Sequence, residues 1–251
     1  MENIKIAASL ICADPLNLEK EVNELIQSKV DLIHFDVMDG SFVPRYGLYP
    51  EILRAIKSKE NCPQVDVHIM SDNPEDFIEI FALYGADYFN FHIEATKHPH
   101  RVIKKILNSG MQPGIALNPN TSIDSLKWII QDIKMVVLMT INPGIVGHKF
   151  IPEMLNKITE LRNFANLNGN TDLIIEIDGG VTPENTKDLI KSGANALVCG
   201  NGTIFRPHED SIKNNNNKRK ILFMRYIKDI PNQYCKTSLY SFNNKYIVKF
   251  E

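Results

Sequence analysis

The stretch "DLIHFDVMDG" (residues 31–40) decides the fold, because it joins a buried strand to a polar strand end. Its first part is mostly apolar, as in a strand that is covered on both faces of a parallel sheet. Side chains alternate along a strand, so His34, Asp36 and Met38 point to the same side. A carboxylate and an imidazole are costly to bury without compensation. The stretch therefore predicts a strand that ends at a functional site.

Short apolar runs of this kind alternate with amphipathic, helix-like segments along most of the chain. Strands that alternate with helices indicate a parallel sheet, and eight such units predict a closed (β/α)8 TIM barrel of the α/β class. An open doubly wound sheet is the structural alternative. One of the connecting helices is predicted over residues 122–131. The predicted strands are residues 4–10, 31–37, 64–70, 87–93, 112–118, 133–141, 172–178 and 194–200.

The C-terminal part departs from this rhythm. We assign residues 1–228 to the barrel domain and residues 229–251 to a short C-terminal extension. Four consecutive asparagines, residues 214–217, interrupt the segment that would form the closing helix, because asparagine is a poor helix former. Further on, apolar and polar residues alternate on both sides of Asn243 and Asn244, which predicts a small β-hairpin.

Composition narrows the classes of function. The formal net charge is −2 over 251 residues, which argues against a nucleic-acid-binding protein. The N-terminus lacks the pattern of a signal peptide, and no apolar run is long enough to span a membrane. The four cysteines are scattered and form no CxxC pair. We therefore expect a cytoplasmic protein with reduced thiols and with neither a nucleic-acid nor a membrane partner.

Polar residues collect at the predicted strand ends. Catalytic side chains of a TIM barrel come from the C-terminal ends of its strands. His34, Asp36, His68 and Asp178 all lie there, on the second, third and seventh strands. Two imidazole nitrogens and two carboxylate oxygens suit one divalent ion: Zn, Fe(II), Mn or Co. The alternative is a network of paired polar groups in the core.

Other polar residues share these strands. Asp66 lies on the same face as His68, and Glu176 lies on the same face as Asp178. The fourth strand ends with His92 and Glu94. The residues alone give these side chains no specific role.

Glycines follow the last three strands, in "NPGIVGH" (142–148), "DGGV" (178–181) and "CGNGTIF" (199–205). Glycine lets backbone N–H groups approach an anion closely, and phosphate sites of TIM barrels are commonly built from the last loops and a short helix. Residues 201–205 have the length of that short helix. The predicted phosphate-binding residues are Gly144, Gly147, Gly179, Gly180, Gly200 and Asn201.

A metal ion, paired carboxylates and a phosphate site together favour chemistry at a carbon next to a carbonyl. The metal would stabilise an enediolate, while Asp36 and Asp178 would stand on opposite faces of the substrate. One carboxylate would remove a proton and the other would return one from the far side. This reaction inverts a stereocentre and needs no organic cofactor.

Several stretches, in this order, carry a resemblance to a known family: "ASLICAD", "HFDVMDGSFVP", "DVHIM", "HIEA", "LNP", "INPG", "EIDGGV" and "CGNGTIF". Across residues 4 to 207 the chain resembles the ribulose-phosphate 3-epimerases. The resemblance implies a TIM barrel and a homo-oligomer that interconverts D-ribulose 5-phosphate and D-xylulose 5-phosphate. It implies that His34, Asp36, His68 and Asp178 bind the metal, and that Asp36 and Asp178 form the acid–base pair. It also implies that Ser9, His68, Met38, Met70 and Met139 contact the substrate.

The chain departs from the family pattern mainly in its loops. The departures are at Ala8, Ser41, Arg45, Tyr49, Val146, His148 and Asn201. Because these residues face the substrate more than the metal, they leave two substrates open, the pentulose phosphate and allulose 6-phosphate. A non-catalytic sugar-phosphate-binding paralogue is another alternative. A metal hydrolase on the same fold is a third, although the first strand lacks an HxH pair.

Overall fold

Eight parallel strands close into a ring in chain order, which confirms the predicted TIM barrel. The computed structural model describes residues 4–144, 148–205, 225–230, 237–242 and 245–250. Each strand pairs with its neighbours in sequence, and β1 also pairs with β8 to close the ring. The strands are β1 (Lys5–Ser9), β2 (Leu32–Met38), β3 (Gln64–Met70), β4 (Tyr88–His92), β5 (Gln112–Leu117), β6 (Met135–Met139), β7 (Ile174–Asp178) and β8 (Ala196–Cys199).

Helices pack around the outside of this ring. Their amphipathic sequences turn an apolar stripe toward the strands; on α4, for example, Val102, Ile103 and Ile106 are fully buried. The α-helices are α1 (Leu18–Gln27), α2 (Pro50–Lys57), α3 (Ile78–Leu83), α4 (Pro99–Asn108), α5 (Met154–Leu167) and α6 (Thr186–Lys191). Single 3₁₀ turns lie at Leu10–Cys12, Pro15–Asn17, Pro74–Phe77, Ile93–Ala95, Ile123–Leu126 and Ile130–Asp132.

The main core lies between the strands and the helices. Phe81 of α3 packs edge-on against Phe35 and Phe89, with ring centroids 6.0 and 6.5 Å away. A second apolar cluster lies inside the ring and includes Leu32, Ala116 and Val137. The barrel interior is therefore filled with side chains, and the polar residues of the strands lie among them near the C-terminal ends.

The helix predicted over residues 122–131 is wrong: the segment forms two 3₁₀ turns. Its backbone N–H groups bond three residues back, as from Lys127 to the carbonyl of Asp124. The isoleucines in this segment are β-branched, which lowers the tendency to form an α-helix. The Asn170 side chain also donates to the carbonyl of Ile130 at 2.6 Å. Trp128, in the same segment, is 83% exposed.

The short helix predicted over residues 201–205 is also wrong: this segment is a hydrogen-bonded turn. The N–H groups of Thr203 and Phe205 both donate to the carbonyl of Gly200, at 3.0 and 3.1 Å. Gly202 packs so closely on β7's loop that a Cβ would lie 2.7 Å from the carbonyl oxygen of Val181.

The C-terminal residues contain a three-stranded antiparallel sheet, with β10 (Thr237–Phe242) between β9 (Arg225–Ile230) and β11 (Lys245–Phe250). β10 and β11 flank Asn243 and Asn244, where the hairpin turn was predicted; the turn itself lies outside the described residues. The predicted closing-helix segment, including the asparagine run 214–217, also lies outside them. The predicted boundary at residue 228 falls within β9, and the division into domains stays a prediction. Among the described residues, no helix combines the length and the apolar character that crossing a membrane requires.

Candidate active site

The strand register brings the predicted residues of neighbouring strands side by side. Along β2 and β3, Asp36 is paired with His68 and Met38 with Met70. On the other side of the ring, Met139 of β6 is paired with Asp178 of β7. These pairs lie at the C-terminal ends of their strands. The register therefore gathers side chains that are distant in sequence at one end of the barrel.

A cavity of about 470 Å³ opens at this end. The sequence-predicted residues that line it are Ser9, Asp36, Met38, Met70, Met139, Gly144, Asp178, Gly179, Gly180, Gly200 and Asn201. His34 and His68 are fully buried and lie beneath its floor. Gly147 and Val146 lie outside the described residues.

His34, Asp36, His68 and Asp178 form a compact cluster, with one potential ligand atom from each residue within 4.8 Å of the others. His34 Nε2 lies 3.3 Å from Asp36 Oδ1 and 3.6 Å from Asp178 Oδ2. His68 Nδ1 lies 3.5 Å from each of the same two oxygens. The two imidazoles therefore face the two carboxylates across a single small space.

The chemistry and the spacing of this cluster fit a divalent metal ion. His34 Nε2 and His68 Nδ1 are buried and make no hydrogen bond, although buried polar atoms are normally satisfied. In a tetrahedral site with ligand bonds near 2.0–2.1 Å, ligand atoms lie about 3.4 Å apart. The four distances between imidazole nitrogens and carboxylate oxygens, 3.3–3.6 Å, are close to that value. The donor set, its spacing and its unsatisfied nitrogens all fit a divalent ion.

The electrostatics of the cluster favour charge separation. Burial by itself opposes ionisation of Asp178, but close contacts with His34 and His68 and their positive charge outweigh it and lower the pKa of this carboxyl. The pKa of Asp36 is lowered for the same reason. In turn, burial disfavours the imidazolium of His34, but Asp66 and Asp36 raise the pKa of His34 well above its usual range. Without a substrate, the two carboxyl groups thus favour the ionised form, which attracts a cation.

A second polar group lies deeper in the barrel, on the other side of the His34 ring. Asp66 Oδ2 is 2.8 Å from His34 Nδ1, and Glu176 Oε2 is 3.5 Å from the same nitrogen. All three side chains are fully buried. Burial and the neighbouring Glu176 raise the pKa of Asp66 well above its usual range. This inner pair contacts His34 but does not line the cavity.

His68 has its own support on the side away from the cluster. Its Nε2 lies 3.0 Å from His92 Nε2, and His92 Nδ1 lies 3.2 Å from Glu94 Oε2. Glu94 also accepts hydrogen bonds from the Asn118 N–H at 2.9 Å and from the Thr121 hydroxyl. Burial lowers the pKa of His92 to about 4, and hydrogen bonds lower that of Glu94 to about 2 despite its burial.

Sequence reasoning located His92 and Glu94 at a strand end but gave them no role. The available signal was the "HIE" spacing at the end of the fourth strand, which places both polar residues next to the predicted cluster. The sequence does not show how close His92 on β4 comes to His68 on β3. The contact between His92 and His68 depends on how β3 and β4 are paired, and this becomes visible only in the folded barrel.

The glycine loops approach the cavity with backbone conformations that favour glycine. Gly179 has φ +115° and Gly180 has φ +66°. A Cβ on Gly180 would lie 2.6 Å from the backbone nitrogen of Phe150, so a larger residue would displace the chain. Gly144 has φ +78° and lies against Val43, where a Cβ would be 2.5 Å from the Val43 Cβ. Backbone rather than side chains therefore forms much of this wall.

The positions that depart from the family pattern lie in different surroundings. Arg45 and His148 line the cavity, together with Asn201. Ser41 donates a hydrogen bond to Asp72 at 2.5 Å, and Tyr49 is exposed just before α2. Ala8 is fully buried. Arg45, His148 and Asn201 are thus the altered residues that reach the space a ligand would occupy.

Comparison with known proteins agrees with the geometry. Residues 5–205 match the model of the "Ribulose-phosphate 3 epimerase family". The ribulose-phosphate 3-epimerase of Bacillus subtilis is 42% identical over 197 residues, which cover 78% of this chain and 90% of that protein. The enzyme of the same name from Synechocystis is 39% identical, over 82% of this chain and 90% of its own. That from Methanocaldococcus jannaschii is 40% identical, over 78% and 82%.

Solved structures at low sequence identity share the fold. A mutant tryptophan synthase alpha-subunit from Pyrococcus furiosus superposes with a TM-score of 0.62 at 16% identity, over 80% of this chain and 89% of that one. KGPDC from Streptococcus mutans superposes with a TM-score of 0.60 at 14% identity, over 82% and 91%. At such identities the likeness concerns the barrel alone.

Proposed function

The chain belongs to the ribulose-phosphate 3-epimerase family, an isomerase family, and from this we propose that it interconverts D-ribulose 5-phosphate and D-xylulose 5-phosphate. The observation that carries the proposal is the pair Asp36 and Asp178, which both line the cavity and both face the buried nitrogens of His34 and His68. Epimerisation at C3 needs one group that removes a proton and another that returns it, and two ionisable carboxylates at one cavity meet that need.

In the proposed reaction, Asp36 and Asp178 are the acid–base pair. In one direction, one carboxylate takes the proton from C3 of the ketose, which leaves an enediolate. The other residue of the pair, which starts this direction as a carboxylic acid, then gives its proton to the opposite face of C3, so the configuration there is inverted and the two protonation states are exchanged. Because β2 and β7 are separated in the ring by β1 and β8, the two carboxyl groups approach the substrate from different sides. In the reverse direction their roles are exchanged.

His34, Asp36, His68 and Asp178 would hold one divalent metal ion, Zn, Fe(II), Mn or Co. When bound, such an ion supplies positive charge that stabilises the negative charge developing on the substrate's oxygens. His34 and His68 orient the two carboxylates, since each imidazole nitrogen faces both of them. The support for this part of the proposal is the fit of the donor set and its two unsatisfied buried nitrogens.

The rest of the cavity would bind and orient the sugar phosphate. We assign the phosphate to the loops after β6, β7 and β8, with Gly144, Gly179, Gly180, Gly200 and Asn201 at the wall; Gly147 belongs to the same loops by sequence. Ser9, whose hydroxyl donates to Asp36 at 3.3 Å, would contact the substrate near the reacting carbon. Met38, Met70 and Met139 are almost fully buried and present an apolar surface that excludes water there.

Proton NMR in D2O tests the proposal directly. The Zn²⁺-loaded protein is incubated with ribulose 5-phosphate and, in a separate tube, with allulose 6-phosphate. We expect the C3 proton signal of ribulose 5-phosphate to disappear and the epimer to accumulate. Exchange with allulose 6-phosphate alone would make the hexulose phosphate the substrate instead of the pentulose phosphate. The altered residues Arg45 and His148, which line the cavity, are the reason for testing this alternative.

Two further outcomes would contradict the proposal. Silence with both sugars, from a protein with an intact fold and bound Zn²⁺, would indicate a non-catalytic sugar-phosphate-binding paralogue. Release of inorganic phosphate would indicate a hydrolase. The metal part is tested separately: removal of the metal with a chelator should stop exchange, and added Zn²⁺, Mn²⁺ or Co²⁺ should restore it.

A further inference from the structure

Beneath the cavity, a row of hydrogen-bonding groups leads from His68 through His92 to Glu94, and none of the roles assigned above includes its outer two members. His92 is fully buried, and its ring meets the His68 ring edge to edge, with centroids 5.0 Å apart. The Phe42 ring also packs against His92, with ring centroids 4.6 Å apart. The ring is thus held in place from two sides, and both of its nitrogens have a partner.

The partners decide where the protons lie. The Glu94 carboxylate already accepts bonds from Asn118 and Thr121, and it can only accept, so the proton of neutral His92 is on Nδ1. His92 Nε2 is then an acceptor. The nitrogen that faces it at 3.0 Å, His68 Nε2, must be the donor. Neutral His68 therefore carries its proton on Nε2 and a free lone pair on Nδ1.

We propose that His92 and Glu94 are positioning residues that fix His68 in the Nε2–H tautomer and so present its Nδ1 lone pair to the metal. This inference rests on the metal site of the proposed function. Metal-binding histidines generally donate their second N–H to another group, which fixes tautomer and ring orientation. Here that group is a second histidine, and the carboxylate is one residue further away.

The anchoring of Glu94 extends to a helix. Lys157 of α5 donates hydrogen bonds to the carbonyls of Asn118, at 2.9 Å, and of Pro119, at 3.0 Å. It also donates to Thr121, whose hydroxyl bonds Glu94. The loop after β5 is thereby held against Glu94. Groups on β4, on this loop and on α5 thus decide that His68 donates, and does not accept, the hydrogen bond that it shares with His92.

The test uses the full-length protein and the imidazole ¹⁵N shifts of His68, which distinguish Nε2–H from Nδ1–H. At a pH where His68 is neutral, we expect the Nε2–H tautomer in the metal-free wild type. In His92→Phe, which keeps a ring but removes the acceptor, we expect a mixture of tautomers and a Zn²⁺ affinity about 10–100-fold lower in competition with a chelator. His92→Gln supplies an amide oxygen at this place, and should restore both the tautomer and most of the affinity.

His100→Phe is the matched control, because His100 lies on α4 with a side chain 60% exposed. It should leave both readouts unchanged. The Nδ1–H tautomer in the wild type would overturn the proposal, and so would an unchanged Zn²⁺ affinity in a folded His92→Phe. A third outcome separates the two proposals. If the wild type has the Nε2–H tautomer and His92→Phe loses it, the row of hydrogen bonds is supported. If neither the wild type nor any variant binds Zn²⁺, the proposed metal site fails.

Discussion

Asp36 and Asp66 belong to neighbouring strands and both flank the ring of His34, yet they have opposite electrostatic properties. Asp36 faces two imidazoles and lines the cavity, and its pKa is lowered. Asp66 is fully buried beside another carboxyl group, Glu176, and its pKa is raised. The identity of a residue therefore does not decide its role. The outer layer, Asp36 and Asp178, favours negative charge, whereas in the inner layer, Asp66 and Glu176, burial and the neighbouring carboxyl group favour the protonated form of Asp66 beside His34.

The largest effect is expected when a carboxylate of the outer layer is removed. Asp178→Asn removes a proposed acid–base group and a proposed metal ligand together, so we expect a fall in kcat of about 10⁴-fold, the upper end for general acid–base catalysis. Circular dichroism should show an intact barrel. Asp76→Asn, at an exposed residue before α3, is the control and should keep normal kcat. Near-normal turnover in Asp178→Asn would remove the two-carboxylate mechanism.

Glu94, which holds His92 against His68, should make the stability of the fold depend on pH. The pKa of Glu94 is about 2 in the folded protein and 4.5 without interactions, so its ionisation stabilises the fold above about pH 4.5. This gain is lost as the pH falls from about 4.5 to about 2. Glu94→Gln should therefore lower the free energy of unfolding by about 3 kcal/mol at pH 7 and by about half of that or less at pH 3. Urea denaturation at the two pH values measures it.

Glu79→Gln provides the comparison for that experiment, because Glu79 is exposed on α3. Its effect on the free energy of unfolding should be small and the same at both pH values. A loss of stability in Glu94→Gln that stays constant between pH 7 and pH 3 would show that packing, not the ionised carboxylate, accounts for the effect.

The inner layer should act on metal binding and not on proton transfer. Asp66→Leu leaves His34 Nδ1 without its 2.8 Å partner, so we expect Zn²⁺ affinity to fall about 10–100-fold. At saturating Zn²⁺, kcat should recover most of its wild-type value. A kcat that stays low at saturation would place Asp66 in the chemistry and erase the difference between the two layers.

The smallest expected effect is that of Glu176→Gln. It removes one of two neighbouring buried carboxyl groups, while the bond between Asp66 and His34 remains. Like charges in a buried site are unfavourable, so the variant should be as stable as the wild type or more stable by about 1 kcal/mol. Thermal unfolding would measure this. A strong destabilisation would mean that Glu176 is held by a cation or by bonds that only its carboxylate can make.

Much of the fold follows from periodicity, because buried strands leave a clear apolar pattern. β3 has the same bounds, Gln64–Met70, as the strand read from the sequence. Residues 122–131 were misread because apolar spacing cannot show that Asn170 bonds the carbonyl of Ile130 or that the turns tighten to 3₁₀. Local pattern predicts an element, and tertiary contacts decide its form.

The candidate site was predictable where position along a strand was enough. His34, Asp36, His68 and Asp178 could be grouped because their positions along β2, β3 and β7 direct all four toward the same end of the barrel. The row from His68 to Glu94 could not be derived in the same way. It depends on two nitrogens of different strands meeting at 3.0 Å, which is a property of register and ring orientation.

Trp128, on the 3₁₀ segment after β5, has a consequence for spectroscopy. It is the one tryptophan of the sequence, and its indole is 83% exposed with the Lys127 ammonium 4.9 Å from its ring. Its fluorescence emission in the native protein should already resemble that of an indole in water. Unfolding will then shift the emission maximum very little, so circular dichroism and tyrosine signals are the optical probes that follow this barrel.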